Sequence, residues 1–185
     1  MKKSIIKTLL IFLFGLFAFG IYAKAFQDDS RKKVFVLEIR DNIDPRMNRY
    51  VDLALKQATE LNADIIIVDM DTYGGAVNDA NDIRTRLLKY KKPVWVFINN
   101  DAASAGALIS IACDSIYMVP GANIGAATVV NAQGEAAPDK YQSYMRSIMR
   151  STAEETGRDP LIAEGMVDDR VEIEGVTVSG KIITF

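Results

Sequence analysis

Two uninterrupted apolar runs, Asp64-Ile-Ile-Ile-Val-Asp69 and Val94-Trp-Val-Phe-Ile98, each follow a stretch of helical periodicity and each run out into small residues. Short runs of this kind read as strands covered on both faces, the pattern of a parallel sheet rather than an antiparallel meander. Val34–Ile39 and Ser115–Val119 add two more short strands. Between them, Tyr50, Val51, Ala54, Ala58 and Leu61 recur at helical spacing, as do Ile83, Leu87 and Leu88. Asn99 to Ala102 reads as a turn, and Ser104 to Cys113 as a helix of small residues. Pro120 to Pro138, rich in Gly, Ala and Asn, reads as a long loop before a helix from Asp139 to Glu155. That last helix carries Tyr141, Tyr144, Met145, Ile148 and Met149 on one face. Strand alternating with helix predicts an α/β layered domain with a largely parallel sheet. In such sheets ligands gather where strands end, and two candidate loops fall there: Gly74-Gly75 and Ser104.

The first residues follow another logic. Lys2, Lys3 and Lys7 precede an apolar run from Leu9 to Ala23, and Ala23-Lys-Ala25 offers small residues at signal-peptidase spacing. The run is shorter than the roughly twenty residues that span a bilayer comfortably. Residues 1–25 are therefore expected to be a cleaved export signal or an N-terminal membrane anchor, and 26–33 a polar linker. Residues 34–185 form the domain, at the periplasmic or extracytoplasmic face of the membrane. The net charge of −2, with no large basic cluster, argues against nucleic acid as a partner. The single cysteine, Cys113, lies in an apolar helix and reads as a buried small residue.

The chain contains no histidine. A Ser-His-Asp triad and a histidine-ligated metal are excluded within it, and nothing in the sequence asks for a cofactor or metal. If Ser104 reacts, its base is a lysine, a carboxylate or an α-amine. The surrounding Ala102-Ala-Ser-Ala-Gly-Ala107 leaves a hydroxyl open to a close-approaching backbone, and the Ala105 amide stands where a helix begins. Serine is equally a good helix N-cap, so the local sequence leaves both roles open. Gly74 and Gly75 either present bare N–H groups to a ligand or simply make a tight turn. Lys140 follows Pro138-Asp139, which start a helix, and the helix dipole there disfavours its positive charge. A desolvated lysine at that point would supply a neutral amine; a solvated one would be ordinary surface, and Asp139 could pair with it. Asp101 and Asp114 are weaker candidate bases.

In order and spacing, Asp71-Thr-Tyr-Gly-Gly75, Lys92-Pro-Val94, Ala102-Ala-Ser-Ala-Gly106, Tyr117-Met-Val-Pro-Gly121 and Ile124-Gly-Ala126 resemble the Clp protease/crotonase-like superfamily. Within it the chain is most similar to the membrane-associated serine protease domain of NfeD-type proteins, related to signal peptide peptidase A. Ala137-Pro-Asp-Lys140 resembles the segment where that family keeps a catalytic lysine, and Glu155-Thr-Gly-Arg-Asp159 the turn that follows.

The resemblance implies a spiral of β-β-α units and a Ser-Lys dyad, Ser104 as nucleophile and Lys140 as general base. It implies an oxyanion hole from Gly74, Gly75 and Ala105. It further implies self-association as a dimer or larger ring, and hydrophobic peptide or membrane-protein substrates such as stomatin-like partners. Two departures stand out. Tyr73 occupies a position that is often proline, and the sequence stops at Lys181-Ile-Ile-Thr-Phe185 where family chains commonly continue into membrane helices and a small β-barrel. The rival reading is a catalytically inactive Clp-fold scaffold that binds membrane proteins. A crotonase-type acyl-CoA enzyme fits poorly with export and with serine at the nucleophile position.

Overall fold

The computed structural model describes residues 31–131 and 133–173. The expected export segment 1–25 and the run 181–185 lie outside them. The chain divides into two compact units, Met1–Lys32 and Lys33–Phe185, and the fold is that of the second.

In chain order its elements are β1 (Val34–Ile39), α1 (Pro45–Glu60), β2 (Ile65–Thr72), α2 (Val77–Leu88), β3 (Val94–Ala103) and α3 (Ala105–Ile111). There follow β4 (Ser115–Met118), β5 (Asn123–Gly125), α4 (Asp139–Glu155) and α5 (Pro160–Gly165). Helix α1 starts where Asp44 accepts from the N–H groups of Arg46 and Met47, with Pro45 pre-set in the first turn.

All pairings between strands are parallel, in the order β1-β2-β3-β4, with β5 beside the far end of β3. Each helical crossover advances one strand in the same direction, so right-handed connections send the helices to one face. Burial agrees. Leu37, Ile39, Ile66, Val68, Met70, Val96 and Ile98 are sealed beneath the helices, each such side chain contributing about 1.5–3 kcal/mol.

The opposite face is not covered by the described elements, contrary to the expectation of strands buried on both sides. Val36 there is 54% exposed and Tyr117 51%, with Trp95 edge-on to Tyr117 at 6.1 Å between ring centroids. An apolar run marks β-branched strand character, but it does not distinguish two helical layers from one.

The expected turn at Asn99–Ala102 is also strand. Asn and Asp usually break strands, yet here the register shifts past Met70 so that Thr72 pairs with Ala102. β5, which the sequence left inside a loop, pairs with Asp101 to Ala103. Tertiary pairing overrides the local preference. The helix over 139–155 has the expected bounds, but Tyr141 and Tyr144 are exposed while Met145, Ile148 and Met149 are buried. Cys113 is fully buried.

Candidate active site

Ser104 sits at the junction of β3 and α3. The turn between strand and helix is so sharp that Ser104 adopts φ 55° and ψ −112°, a region that side-chain-bearing residues rarely occupy. Its side chain makes no capping hydrogen bond, which removes the ordinary reason for serine at a helix start. Its own N–H donates to the Gly125 carbonyl at 2.7 Å. Ala126 beside that carbonyl also has positive φ, 50°. Strained residues clustered at one strand end persist only where the surroundings fix them.

Those surroundings are largely glycine. A Cβ on Gly74 would lie 2.7 Å from the Ser104 Cβ and 3.0 Å from the Ala103 carbonyl. One on Gly106 would lie 2.7 Å from the Thr72 Cγ2. The ends of β2 and β3 therefore approach each other more closely than side chains allow. Gly75 bridges to Ile43, held by Ile43 N–H to the Gly74 carbonyl (2.9 Å) and Ala76 N–H to the Ile43 carbonyl (2.7 Å).

The two glycines differ in what they can offer. Gly74 N–H donates to Thr72 Oγ1 at 3.1 Å and is spent. The N–H groups of Gly75 and Ala105 have no acceptor among the described residues. Gly75 follows Gly74, which packs on Ser104, so its N–H and that of Ala105 are the two backbone donors left free at this strand end.

Lys140 stands differently. It is the second residue of α4, exposed, with Nζ 5.6 Å from the centre of the Tyr141 ring. No hydrogen bond joins it to Ser104 among the described residues, and of the two roles left open for Lys140 its exposure matches the solvated one. Asp139 does not pair with Lys140; its carboxylate meets Arg146 at 3.2 Å. Asp114 accepts from Val94 N–H at the opposite end of β3 from Ser104. Asp101 is near the serine but its oxygens are engaged by Asn100 and Asn123. Among the described residues no cluster of His, Cys, Asp or Glu is placed to hold a metal.

Two supporting residues were missed from sequence. Thr72, almost fully buried, donates its hydroxyl hydrogen to the Asp41 carbonyl (2.7 Å) while accepting from Gly74, so one side chain sets the end of β2. Gln142 on α4 accepts from Val129 N–H (2.9 Å) and donates to the carbonyls of Val129 (2.7 Å) and Ala137 (3.1 Å). It fastens the segment between β5 and α4 to the helix that carries Lys140. The only sequence signal was a buried-strand Thr and a lone amide in a helix.

A one-sided parallel sheet with a serine at a strand-to-helix elbow and a glycine pair at the neighbouring strand end defines the Clp-protease-like fold. ClpP1 from Listeria monocytogenes shares it at a TM-score of 0.57 and 20% identity, over 72% of this chain and 78% of that one. The chain belongs to the NfeD1b N-terminal domain family, which matches residues 33–185. It is 35% identical over 175 residues to Membrane protein NfeD1b of Bacillus subtilis (strain 168). That alignment covers 94% of this chain and 39% of the relative. Membrane-bound protease PH1510 of Pyrococcus horikoshii is 32% identical over 142 residues, 72% of this chain and 32% of the relative. Among solved structures, the 1510-N membrane-bound stomatin-specific protease, as a lysine-to-alanine mutant in complex with a substrate peptide, matches at TM-score 0.70 and 30% identity. That match covers 75% of this chain and 67% of the solved one. Relatives are thus membrane proteins and proteases, of which this chain spans well under half the length. No helix among the described residues is long and apolar enough to cross a membrane.

Proposed function

We propose that this chain is the peptidase domain of a membrane-associated protein and cleaves peptide bonds in apolar segments. Ser104 is the nucleophile. Lys140, as a neutral amine, takes the Ser104 proton as Oγ adds to the scissile carbonyl carbon. The carbonyl oxygen then carries the negative charge and accepts hydrogen bonds donated by the Gly75 and Ala105 N–H groups. The proton passes from Lys140 to the leaving amine, and water hydrolyses the acyl-serine by the same route. Gly74 serves the oxyanion hole by its close fit against Ser104 rather than by its own N–H, which Thr72 holds.

The observation that carries this reading is Ser104 itself: a serine in a strained elbow, uncapped, with two unspent amides around it. A residue that only started a helix would gain nothing from that strain. The solved protease named above, specific for stomatin and bound to a substrate peptide, supports stomatin-like apolar segments as targets. Residues 1–25 as export signal or anchor, 26–33 as linker, placement at the extracytoplasmic face, and self-association belong to the same proposal.

The scaffold reading draws on one specific observation, the exposed amine of Lys140 resting on Tyr141. Substitution separates the two. Ser104→Ala is expected to abolish cleavage of an apolar model peptide, and labelling by a serine-reactive phosphonate, with folding intact. Lys140→Arg is expected to fail as well, since guanidinium does not give up its proton. Undiminished cleavage by Ser104→Ala eliminates the nucleophile; full activity of Lys140→Arg moves the base elsewhere.

A further inference from the structure

Tyr73 is 80% exposed, more than any other large hydrophobic side chain among the described residues. It contributes nothing to the core, yet the backbone on either side of it is fixed. Before it, the Thr72 hydroxyl is tied to the Asp41 carbonyl at 2.7 Å. After it, Gly74 donates to Thr72, its carbonyl accepts from Ile43, and Gly75 bridges to Ile43. Gly74 in turn packs so closely on Ser104 that a Cβ would meet the serine Cβ at 2.7 Å. An aromatic ring is thus presented to solvent from a rigid base, one residue from the backbone that touches Ser104.

Two of the other exposed aromatics have ring contacts. Tyr117 lies edge-on to Trp95, and Tyr141 carries the Lys140 amine. The Tyr73 ring has no such contact among the described residues. An aromatic on a fixed backbone is an efficient binding group, because only two side-chain torsions are restricted when a ligand covers it.

We propose that Tyr73 is a specificity-determining residue of this site: its ring forms an aromatic lip against which an apolar side chain next to the scissile bond packs. The proposal rests on the peptidase reading above and deepens it by assigning the source of apolar preference. The ring rather than the hydroxyl does the work, since apolar side chains give the hydroxyl no partner.

The test separates this claim from the dyad. Binding of a fluorescein-labelled leucine-rich peptide, and of its serine-substituted counterpart, is read by anisotropy on the full chain carrying Ser104→Ala. Neither Lys140 nor catalysis enters that readout. Adding Tyr73→Ala is expected to weaken the leucine peptide by about ten-fold and to erase most of its advantage over the serine peptide. Tyr73→Phe is expected to retain both. In the chain with Ser104 intact, Tyr73→Ala should raise KM about ten-fold with kcat changed less than about two-fold, the pattern of lost uniform binding. Unchanged affinity and selectivity with Tyr73→Ala overturns the proposal. So does equal loss with Tyr73→Phe, or absence of peptide binding by the Ser104→Ala chain. Failure of cleavage with this binding pattern preserved would instead tell against the Ser104–Lys140 chemistry.

Discussion

Gly74→Ala puts a single methyl group into the most crowded point of the site. Its Cβ would stand 2.7 Å from the Ser104 Cβ, 3.0 Å from the Ala103 carbonyl and 3.2 Å from the Ala105 nitrogen. None of these neighbours is the flexible end of a long side chain. Two costs add. The backbone at φ 107° strains any L side chain, on the order of 1–3 kcal/mol. Forcing the ends of β2 and β3 apart costs about as much again, by analogy with overpacked cores. A loss of about 2–6 kcal/mol is expected, a large share of the roughly 5–15 kcal/mol that holds a domain folded. Gly121→Ala is the control, because Gly121 also has positive φ, 88°, but a Cβ there meets nothing within 4 Å. It should show the backbone cost alone, on the order of 1–3 kcal/mol. Urea midpoints give the two stabilities, and the phosphonate labelling rate of the surviving folded fraction reports the elbow. Gly74→Ala should lose more on both counts. If it matches Gly121→Ala in urea and labels at the original rate, the close packing of Gly74 on Ser104 is not what shapes the site.

Ser110 on α3 is fully buried and its Oγ is the one buried side-chain oxygen without a hydrogen-bond partner among the described residues. Ser110→Ala should therefore stabilise the fold by about 1 kcal/mol, seen as a raised urea midpoint, since it removes an unsatisfied hydroxyl and improves helix propensity. Burial pushes the Cys113 thiol up to about 12. It should resist alkylation at pH 8 in the native chain and react promptly once urea unfolds it. The carboxyl of Asp44 is held low chiefly by the Met47 N–H, and that of Asp168 down to about 2 chiefly by Arg170. Folded values below the unfolded one mean that both contribute stability above about pH 4, and each loses it as pH falls through its own folded value, about 2 for Asp168. Asp44→Asn keeps the cap and removes one titration, so its acid unfolding curve should be shallower than that of the parent chain.

The parts of this fold legible in the sequence are those governed by local chemistry. Pro138-Asp139 begins a helix for reasons confined to a few residues, and the apolar runs at 65–68 and 94–98 could be little else but strand. The parts that were not legible depend on partners far away in the chain. Asn99 to Asp101 look like a turn because their side chains are polar, yet they lie in a strand whose end pairs with Thr72 of β2 and, over Asp101 to Ala103, with β5, a segment too short to announce itself. The uncovered sheet face follows from every crossover advancing the same way, and order along a sheet leaves no trace in periodicity. At the site, Ser104 was visible as a serine among alanines, but its strain and the absence of a capping bond are properties of the turn. Thr72 looked like the last residue of a strand; only its two hydrogen bonds reveal why Gly74 and Gly75 present different donors.

That difference bears on how the proposed dyad would operate. Ser104 is held by a sparsely populated backbone conformation, a 2.7 Å hydrogen bond from its N–H to the Gly125 carbonyl and the close approach of Gly74. These contacts are rigid and independent of any ligand. Lys140 is exposed, and its Nζ lies 5.6 Å from the centre of the Tyr141 ring. In the proposed dyad the nucleophile is therefore pre-organised and the base is not, so bringing Lys140 to Ser104 is the step that a bound peptide must favour. An extended apolar peptide laid across the end of the sheet would exclude water from the serine and strengthen the polar contacts made there. On that reading the chain hydrolyses little until covered, and Lys140→Ala should remove the rate with bound peptide while leaving peptide affinity unchanged. An undiminished rate with Lys140→Ala would place the base on another group, such as Asp101.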